Sequence, residues 1–333
     1  MITQRYNNCI FCGSQKLSLI KNQYFSHNFY TKSIKEDLGL SDTFFKKFKV
    51  HECQNCFIIQ NNPWFSQDIS FKIFNQIYGQ HNRNWSNVIN FFREGRKPEH
   101  GKLLNLIINN LNVKEYCEFN APFMGLMLEL FEKEYTKNLI FYKNIFNYAL
   151  KYLSSRQVSG LKKTPRNIKQ NEAKNYLKKL KQIKKKYRKK ENINKSLLID
   201  NSYLSWLYND NYKSVNSRAL ASELLDIKIK DFNLIQNTNK YDLFGIFHTL
   251  DHTHQPKKIL NYALNNSQYV LIYCHTDENL EKQHLFSFTD KFMSYLRKTN
   301  VHYKDITLNI NKTFKSKESY IICSKFNKIR IKI

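Results

Sequence analysis

Glycine and proline are scarce in this chain, at eight and five residues of 333. That is too little for a collagen-like repeat, a Gly/Pro-rich linker or a low-complexity disordered chain. Acidic residues are few as well, 27 against 54 Lys and Arg, for a formal charge of +27. No apolar run approaches the roughly 20 residues that a membrane-spanning helix needs. The opening Met-Ile-Thr-Gln-Arg-Tyr holds no apolar h-region, so no secretory leader and a cytoplasmic setting are expected. The seven cysteines are an odd number, which in that setting argues against a disulfide framework.

What is abundant is Lys, Asn, Ile, Tyr and Phe, the bias of an AT-rich coding sequence. With 41% apolar residues the chain can bury a core, and its length suits one large domain or two smaller ones. The positive charge is uneven. Residues 161–190 hold fourteen Lys and Arg and one acid, Glu172. Within that run Tyr176, Leu177, Leu180, Ile183 and Tyr187 form one apolar stripe on a cationic helix. A helix packed by its stripe, a cover over an active site, an anionic membrane face and a phosphate backbone are its alternative settings.

The most legible stretch runs from Tyr241 to Thr289. Tyr241-Asp-Leu-Phe-Gly-Ile-Phe247 reads as a buried strand. Pro256 opens a helix with Ile259, Leu260, Ala263 and Leu264 on one face. Tyr269-Val-Leu-Ile-Tyr-Cys274 reads as a second buried strand. Strand, crossover helix and strand make a parallel βαβ unit. Ligands of such sheets sit beyond the carboxyl ends of the strands, where Asp251, His252, His275 and His284 are expected to gather. A metal cluster of His248, His252, His254 and His275 is not expected, because their spacing fits no standard zinc pattern. Phe286 to Arg297 reads as a helix, and Val301 to Ile310 and Ser319 to Phe326 as the last two strands.

Near the amino terminus Cys9-Ile-Phe-Cys12-Gly13 and Cys53-Gln-Asn-Cys56 form two Cys-x-x-Cys pairs. The two-residue spacer lets both sulfurs of a pair face one point, and two pairs make a closed four-thiolate site of the structural zinc kind. Four reduced, metal-free cysteines are the alternative. Cys117, Cys274 and Cys323 are expected to be small buried hydrophobes.

Between these ends Val113-Lys-Glu-Tyr-Cys-Glu-Phe119 reads as a strand, followed by Asn120-Ala-Pro-Phe-Met-Gly125 and an apolar helix. Ser196-Leu-Leu-Ile-Asp200-Asn201 reads as another strand ending in an acid. An ordinary strand-to-helix turn and a surface acid are the plain readings of these two segments.

The Asp242 to Pro256 pattern, with Asp251-His252 between, resembles the back half of class I S-adenosylmethionine-dependent methyltransferases. The paired cysteines, the Asn62-Pro63 turn and Tyr78-Gly79 are similar to the start of zinc-bearing methyltransferases that modify deoxysugars. The resemblance implies an α/β fold: a Rossmann-like, mostly parallel sheet with an antiparallel last strand and a small amino-terminal zinc module. The module would occupy 1–80 and the sheet domain 81–333, with a basic helical insertion at about 136–195. It implies S-adenosyl-L-methionine as cofactor, held by Glu118, Asn120, Gly125, Asp200 and Asn201, and structural Zn2+ held by Cys9, Cys12, Cys53 and Cys56. In that family glycines fill the turn that Asn120, Ala121, Pro122 and Phe123 occupy here. Aligning by the aromatic run of Phe286 and Phe288 puts Glu281, Gln283 and His284, just before it, where the family has its Tyr and Glu-His, so His284 is the implied catalytic base. The substrate class implied is a small molecule such as a nucleotide sugar, in surface-polysaccharide synthesis. The competing reading is a methyltransferase-like protein without activity that binds RNA or an acidic partner through its basic insertion.

Overall fold

The computed structural model describes residues 1–22, 34–36, 38–72, 98–120, 126, 194–199, 228–231, 240–247, 250–276, 280, 284–307 and 318–331. The chain forms two compact units, one of Met1–Tyr78 with Asn237–Ile333 and the other of Gly79–Gln236. The basic run 161–190, Gly125, Asp200, Asn201, His248, Glu281 and Gln283 lie outside the described residues.

In the first unit the amino-terminal strands are β1 (Thr3–Gln4), β2 (Leu17–Asn22), β3 (Lys49–Cys53), β4 (Ile59–Asn61) and β5 (Trp64–Phe65). Two short helices accompany them, α1 (Asp42–Phe45) and α2 (Gln67–Lys72). Strands β2, β3 and β4 pair antiparallel in that order, and β1 pairs with β5. Their core is aromatic. Phe45, Phe48, Trp64 and Phe65 are buried and meet mostly edge to face, as ring quadrupoles prefer.

The second unit holds the helix α3 (Pro98–Asn110) and the strands β6 (Glu115–Asn120), β7 (Asn194–Ile199) and β8 (Lys228–Asp231). Leu103, Leu104 and Ile107 form the buried stripe of α3. Its three strands are parallel, with β7 between β6 and β8.

The first unit resumes with β9 (Tyr241–Phe247), α4 (Pro256–Asn266) and β10 (Ser267–His275). Then come β11 (Phe286–Ser287), α5 (Asp290–Lys298), β12 (His302–Asp305) and β13 (Glu318–Ser324). Strands β9 and β10 are parallel, Phe247 level with Tyr273. The crossover helix α4 buries Ile259, Leu260, Ala263 and Leu264 and packs on β10. The last strand, β13, lies between β10 and β12 and runs antiparallel to both. Cys117, Cys274 and Cys323 are fully buried in β6, β10 and β13.

One segment departs from expectation. Phe286–Ser287 is a strand, and the helix starts only at Asp290, behind Thr289 as N-cap. Strand β11 joins the amino-terminal sheet by pairing with β4, Phe286 opposite Gln60. Leu280 enters the same core beside Val50 and Ile59. Pairing to β4 supplies backbone hydrogen bonds and leaves Phe286 and Phe288 buried, which overrides the local helical pattern.

Candidate functional site

Among the described residues of the first unit, chemistry-bearing side chains gather in two clusters. In the amino-terminal one the four sulfurs of Cys9, Cys12, Cys53 and Cys56 lie within 4.8 Å of one another. Sγ of Cys9 is 3.5 Å from that of Cys56, and Sγ of Cys12 is 3.5 Å from that of Cys53. Each pair sits on a knuckle closed by a backbone bond, Gly13 N–H to Cys9 O at 2.9 Å and Phe57 N–H to Cys53 O at 2.8 Å. The residue closing each knuckle has positive φ, +77° at Gly13 and 63° at Phe57. The sulfurs are electrostatically linked. The Cys56 contact, with backbone amides, lowers the Cys9 thiol to about 6, while the same contact and burial push Cys56 up. Burial likewise raises Cys53. His51, on β3, is not needed to complete the set of four.

The second cluster gathers at the carboxyl ends of β9 and β10. Asp251 sits in a 3-10 turn (Leu250–His252) just beyond β9. His275 is the last residue of β10, and His284 precedes β11. Asp251 is 0% exposed and His284 1%. Asp251 Oδ2 contacts His275 Nδ1 directly and lies 3.8 Å from His284 Nε2. Among the described residues Asp251 Oδ1 has no hydrogen-bond partner, and His252 Nε2 stands 4.0 Å from it. The ring centroids of His275 and His284 are 3.9 Å apart, those of His252 and His284 4.6 Å.

On its other side His275 Nε2 lies 3.2 Å from Glu318 Oε1, and Glu318 Oε2 accepts from the Tyr273 hydroxyl. The antiparallel register puts Glu318 directly opposite His275. Burial disfavours the His275 cation, but its contacts with Asp251 and Glu318 outweigh burial and raise it to about 10. Burial pushes the Asp251 carboxyl up, yet His252, His284 and His275 together hold it below the usual carboxylate range. Burial lowers His252.

The amino-terminal sheet fixes this cluster. Asn61 Nδ2 donates to His284 O at 2.8 Å, and the Asn61 amide donates to Leu285 O at 2.9 Å. The Leu285 amide in turn donates to Asp251 O at 2.9 Å. Asp251, His252, His275 and His284 thus meet as the strand ends require. His254 does not join them. It sits between Tyr6 and Ser70, its Nδ1 2.5 Å from the Tyr6 hydroxyl and its Nε2 3.0 Å from Ser70 Oγ.

In the second unit Glu118 is 0% exposed near the end of β6. Its Oε2 accepts from the Tyr116 hydroxyl at 2.5 Å and from the Leu126 amide at 3.0 Å. Glu118 therefore ties β6 to the backbone at Leu126, eight residues along the chain. Burial, then the Glu118 charge, keeps Tyr116 a neutral donor by raising it well above its ordinary range. Asn120 ends β6, and β7 stops at Ile199, one residue before Asp200.

Sequence reasoning missed Glu318 and Asn61. Glu318 carries a usable signal, as the acid that opens the terminal apolar run; Asn61 carries none beyond its place before Asn62-Pro63.

No family model matches the chain, and no curated protein matches it. Solved structures similar to it include the amino-terminal domain of EvdMO1 in the presence of SAH and D-fucose, at 7% identity. That match covers 68% of this chain and 82% of that one, with a TM-score of 0.33. The 16S rRNA methylase ArmA matches at 10% identity over 90% of this chain and 98% of its own, TM-score 0.28. The plantazolicin methyltransferase BpumL in complex with SAH matches at 14% identity over 59% and 88%, TM-score 0.26.

Proposed function

We propose that the chain is an S-adenosylmethionine-dependent methyltransferase of the class I kind, with a structural zinc module at 1–80 and a Rossmann-like domain at 81–333. The strand pattern carries the reading. Three parallel strands, β6 to β8, form one unit's sheet. In the other, a parallel β9–β10 pair is followed by an antiparallel last strand, β13. That is the arrangement the sequence resemblance implies. The acceptor is proposed to be a sugar or related small metabolite such as a nucleotide sugar, in surface-polysaccharide synthesis.

The four-cysteine set fits the ion it would hold. Four convergent thiols within 4.8 Å of one another suit zinc, which would cross-link the two knuckles. Glu118 at the carboxyl end of β6 suits the cofactor turn, with Asn120, Gly125, Asp200 and Asn201 as further ligands. Glu118 accepts a hydrogen bond from the Leu126 amide at 3.0 Å. When bound, the cofactor supplies the electrophilic methyl group. The chain's own task is then to prepare the acceptor. His284 is proposed as catalytic, acting with Asp251 and His275 rather than alone, since the three share one buried cluster. Asp251 and Glu318 hold His275 oriented, and His275 and Asp251 together fix the electrostatics that His284 feels.

Calorimetric titration with S-adenosylmethionine and S-adenosylhomocysteine tests the reading. Saturable one-to-one binding supports it. Absence of binding, with RNA affinity falling steeply as salt rises, would transfer the function to the basic insertion as a nucleic-acid or acidic-partner binder.

A further inference from the structure

We propose that Asp251, His275 and His284 bind a divalent transition-metal ion at the carboxyl edge of β9 and β10, separate from the four-cysteine site. Their ligand atoms, one carboxylate oxygen and two imidazole nitrogens, lie within 4.8 Å of one another, a span that one ion bridges. They arrive from three segments, which is why sequence spacing gave no metal pattern.

Three further observations point to a cation. The first is the supporting shell of His275. A ligating histidine usually gives its second ring N–H to a carboxylate, which fixes the tautomer and makes the ligating nitrogen more basic. His275 Nε2 faces Glu318 Oε1 at 3.2 Å, and Tyr273 anchors the other Glu318 oxygen. Donation from Nε2 leaves the Nδ1 lone pair aimed at Asp251 Oδ2. The second is Asp251 itself. Its Oδ1 is buried without a hydrogen-bond partner, an arrangement that costs about 1–3 kcal/mol per group. Chelation through both oxygens satisfies it. The third is charge. Among the described residues two carboxylates, Asp251 and Glu318, flank His275, and a dication bound by the neutral imidazole balances both.

The donor set selects the metal class. Two imidazoles and one carboxylate suit zinc or iron(II) and not magnesium or calcium, which take oxygen ligands. Among the described residues three protein ligands converge, the number found in catalytic rather than structural sites. His252, 18% exposed at its side chain, and His275, 12%, form the accessible flank. A substrate oxygen entering there reaches the ion. The inference rests on the methyl-transfer reading only for the use of the site: a metal-bound acceptor oxygen loses its proton at a lower pH than a free one. His284 then serves as a ligand, and the cluster as a whole prepares the acceptor.

The test is cobalt(II) addition to full-length protein that carries a single equivalent of zinc, held by the four-cysteine site. One equivalent of cobalt is expected to bind with ligand-field absorption and without the thiolate-to-cobalt charge-transfer band of a cysteine site. Two imidazoles should show hyperfine-shifted proton resonances. His284→Asn should abolish the absorption, and Glu318→Gln should weaken cobalt binding by about 10–100-fold. Cobalt bound only with thiolate charge transfer, or unaltered cobalt binding in His284→Asn, overturns the proposal. If His284→Asn does not fold, the parent decides: fewer than two shifted imidazoles overturn it. Cobalt binding without any cofactor binding leaves the metal site standing and removes the methyl-transfer reading.

Discussion

His254 is expected to make stability depend on pH across the mildly acidic range. Its tautomer is set by its neighbours. The Ser70 hydroxyl donates to Phe65 O at 3.2 Å, so Ser70 Oγ can accept from His254 Nε2–H at 3.0 Å. Nδ1 is then the acceptor for the Tyr6 hydroxyl at 2.5 Å. Burial lowers the His254 pKa from 6.5 to about 4. The unfolded state therefore binds more protons between those values, and stability falls as pH drops through that window. The full contribution is present above the unfolded value and is lost progressively down to about pH 4. A shift from 6.5 to about 4 corresponds to roughly 3 kcal/mol in total. About 1.3 kcal/mol of it disappears between about pH 7.5 and pH 5.5. Guanidinium unfolding of the parent and of His254→Gln at both pH values isolates the effect, because every other group titrates in both. The parent should lose about 1.3 kcal/mol more than the variant on acidification. Equal losses would refute the reasoning and mean that His254 keeps an ordinary pKa.

The same geometry sets four other outcomes. Cys53→Ser should remove the zinc of the four-cysteine site by metal analysis and unfold the amino-terminal sheet, with the melt of the β9–β10–β13 sheet retained; zinc kept at that site would remove Cys53 from it. Gly13→Ala meets no atom within 4 Å, so its cost should be the backbone strain of φ +77° alone, about 1–2 kcal/mol in an unfolding titration. Glu118→Gln should weaken S-adenosylmethionine binding by about 1.5–3 kcal/mol by calorimetry, and unchanged affinity would make Glu118 purely structural. Asn61→Leu strands the His284 carbonyl and should cost about 1–3 kcal/mol of stability, with turnover falling as well; a drop in stability alone would mean that Asn61 does not position the cluster.

The legible parts of the fold were those governed by local physics. Strands β9 and β10 are continuous apolar runs, and Pro256 marks the helix between them, so the βαβ unit could be read without tertiary knowledge. The cysteine pairs were legible because a two-residue spacer is itself a geometric statement. The segment from His284 to Thr289 was not. Its strand is two residues long, too short to show a period, and its partner β4 lies near the other end of the chain. The same reason separates His254 from His284. His254 is only two residues from His252 in sequence, yet its ring is spent on Tyr6 and Ser70. His284 is held at the cluster by Asn61 of β4 on its carbonyl and by the Leu285 amide on Asp251 O. Glu318 arrives through the β10–β13 register, which no local pattern encodes.

These dependencies give the amino-terminal module a role beyond its own stability. A zinc knuckle appended to an enzyme would stabilise only itself. Here Cys53 ends β3, β3 pairs with β4, and β4 carries Asn61. Asn61 grips His284 O and Leu285 O, and Leu285 N–H holds Asp251 O. Phe11, from the first knuckle, packs edge to face on Phe288 and Phe292 at 6.1 and 5.0 Å, and Thr289 Oγ1 donates to Phe57 O of the second at 2.7 Å. Both knuckles thus bear on the segment that presents His284. Each link is a hydrogen bond or a packed ring worth about 1 kcal/mol, too little to order the segment singly, but they act on one short stretch and share one support. Folding of the cysteine site and geometry of the Asp251–His275–His284 cluster are therefore coupled, and loss of the first is expected to disorder the second while β9, β10 and β13 keep their pairing.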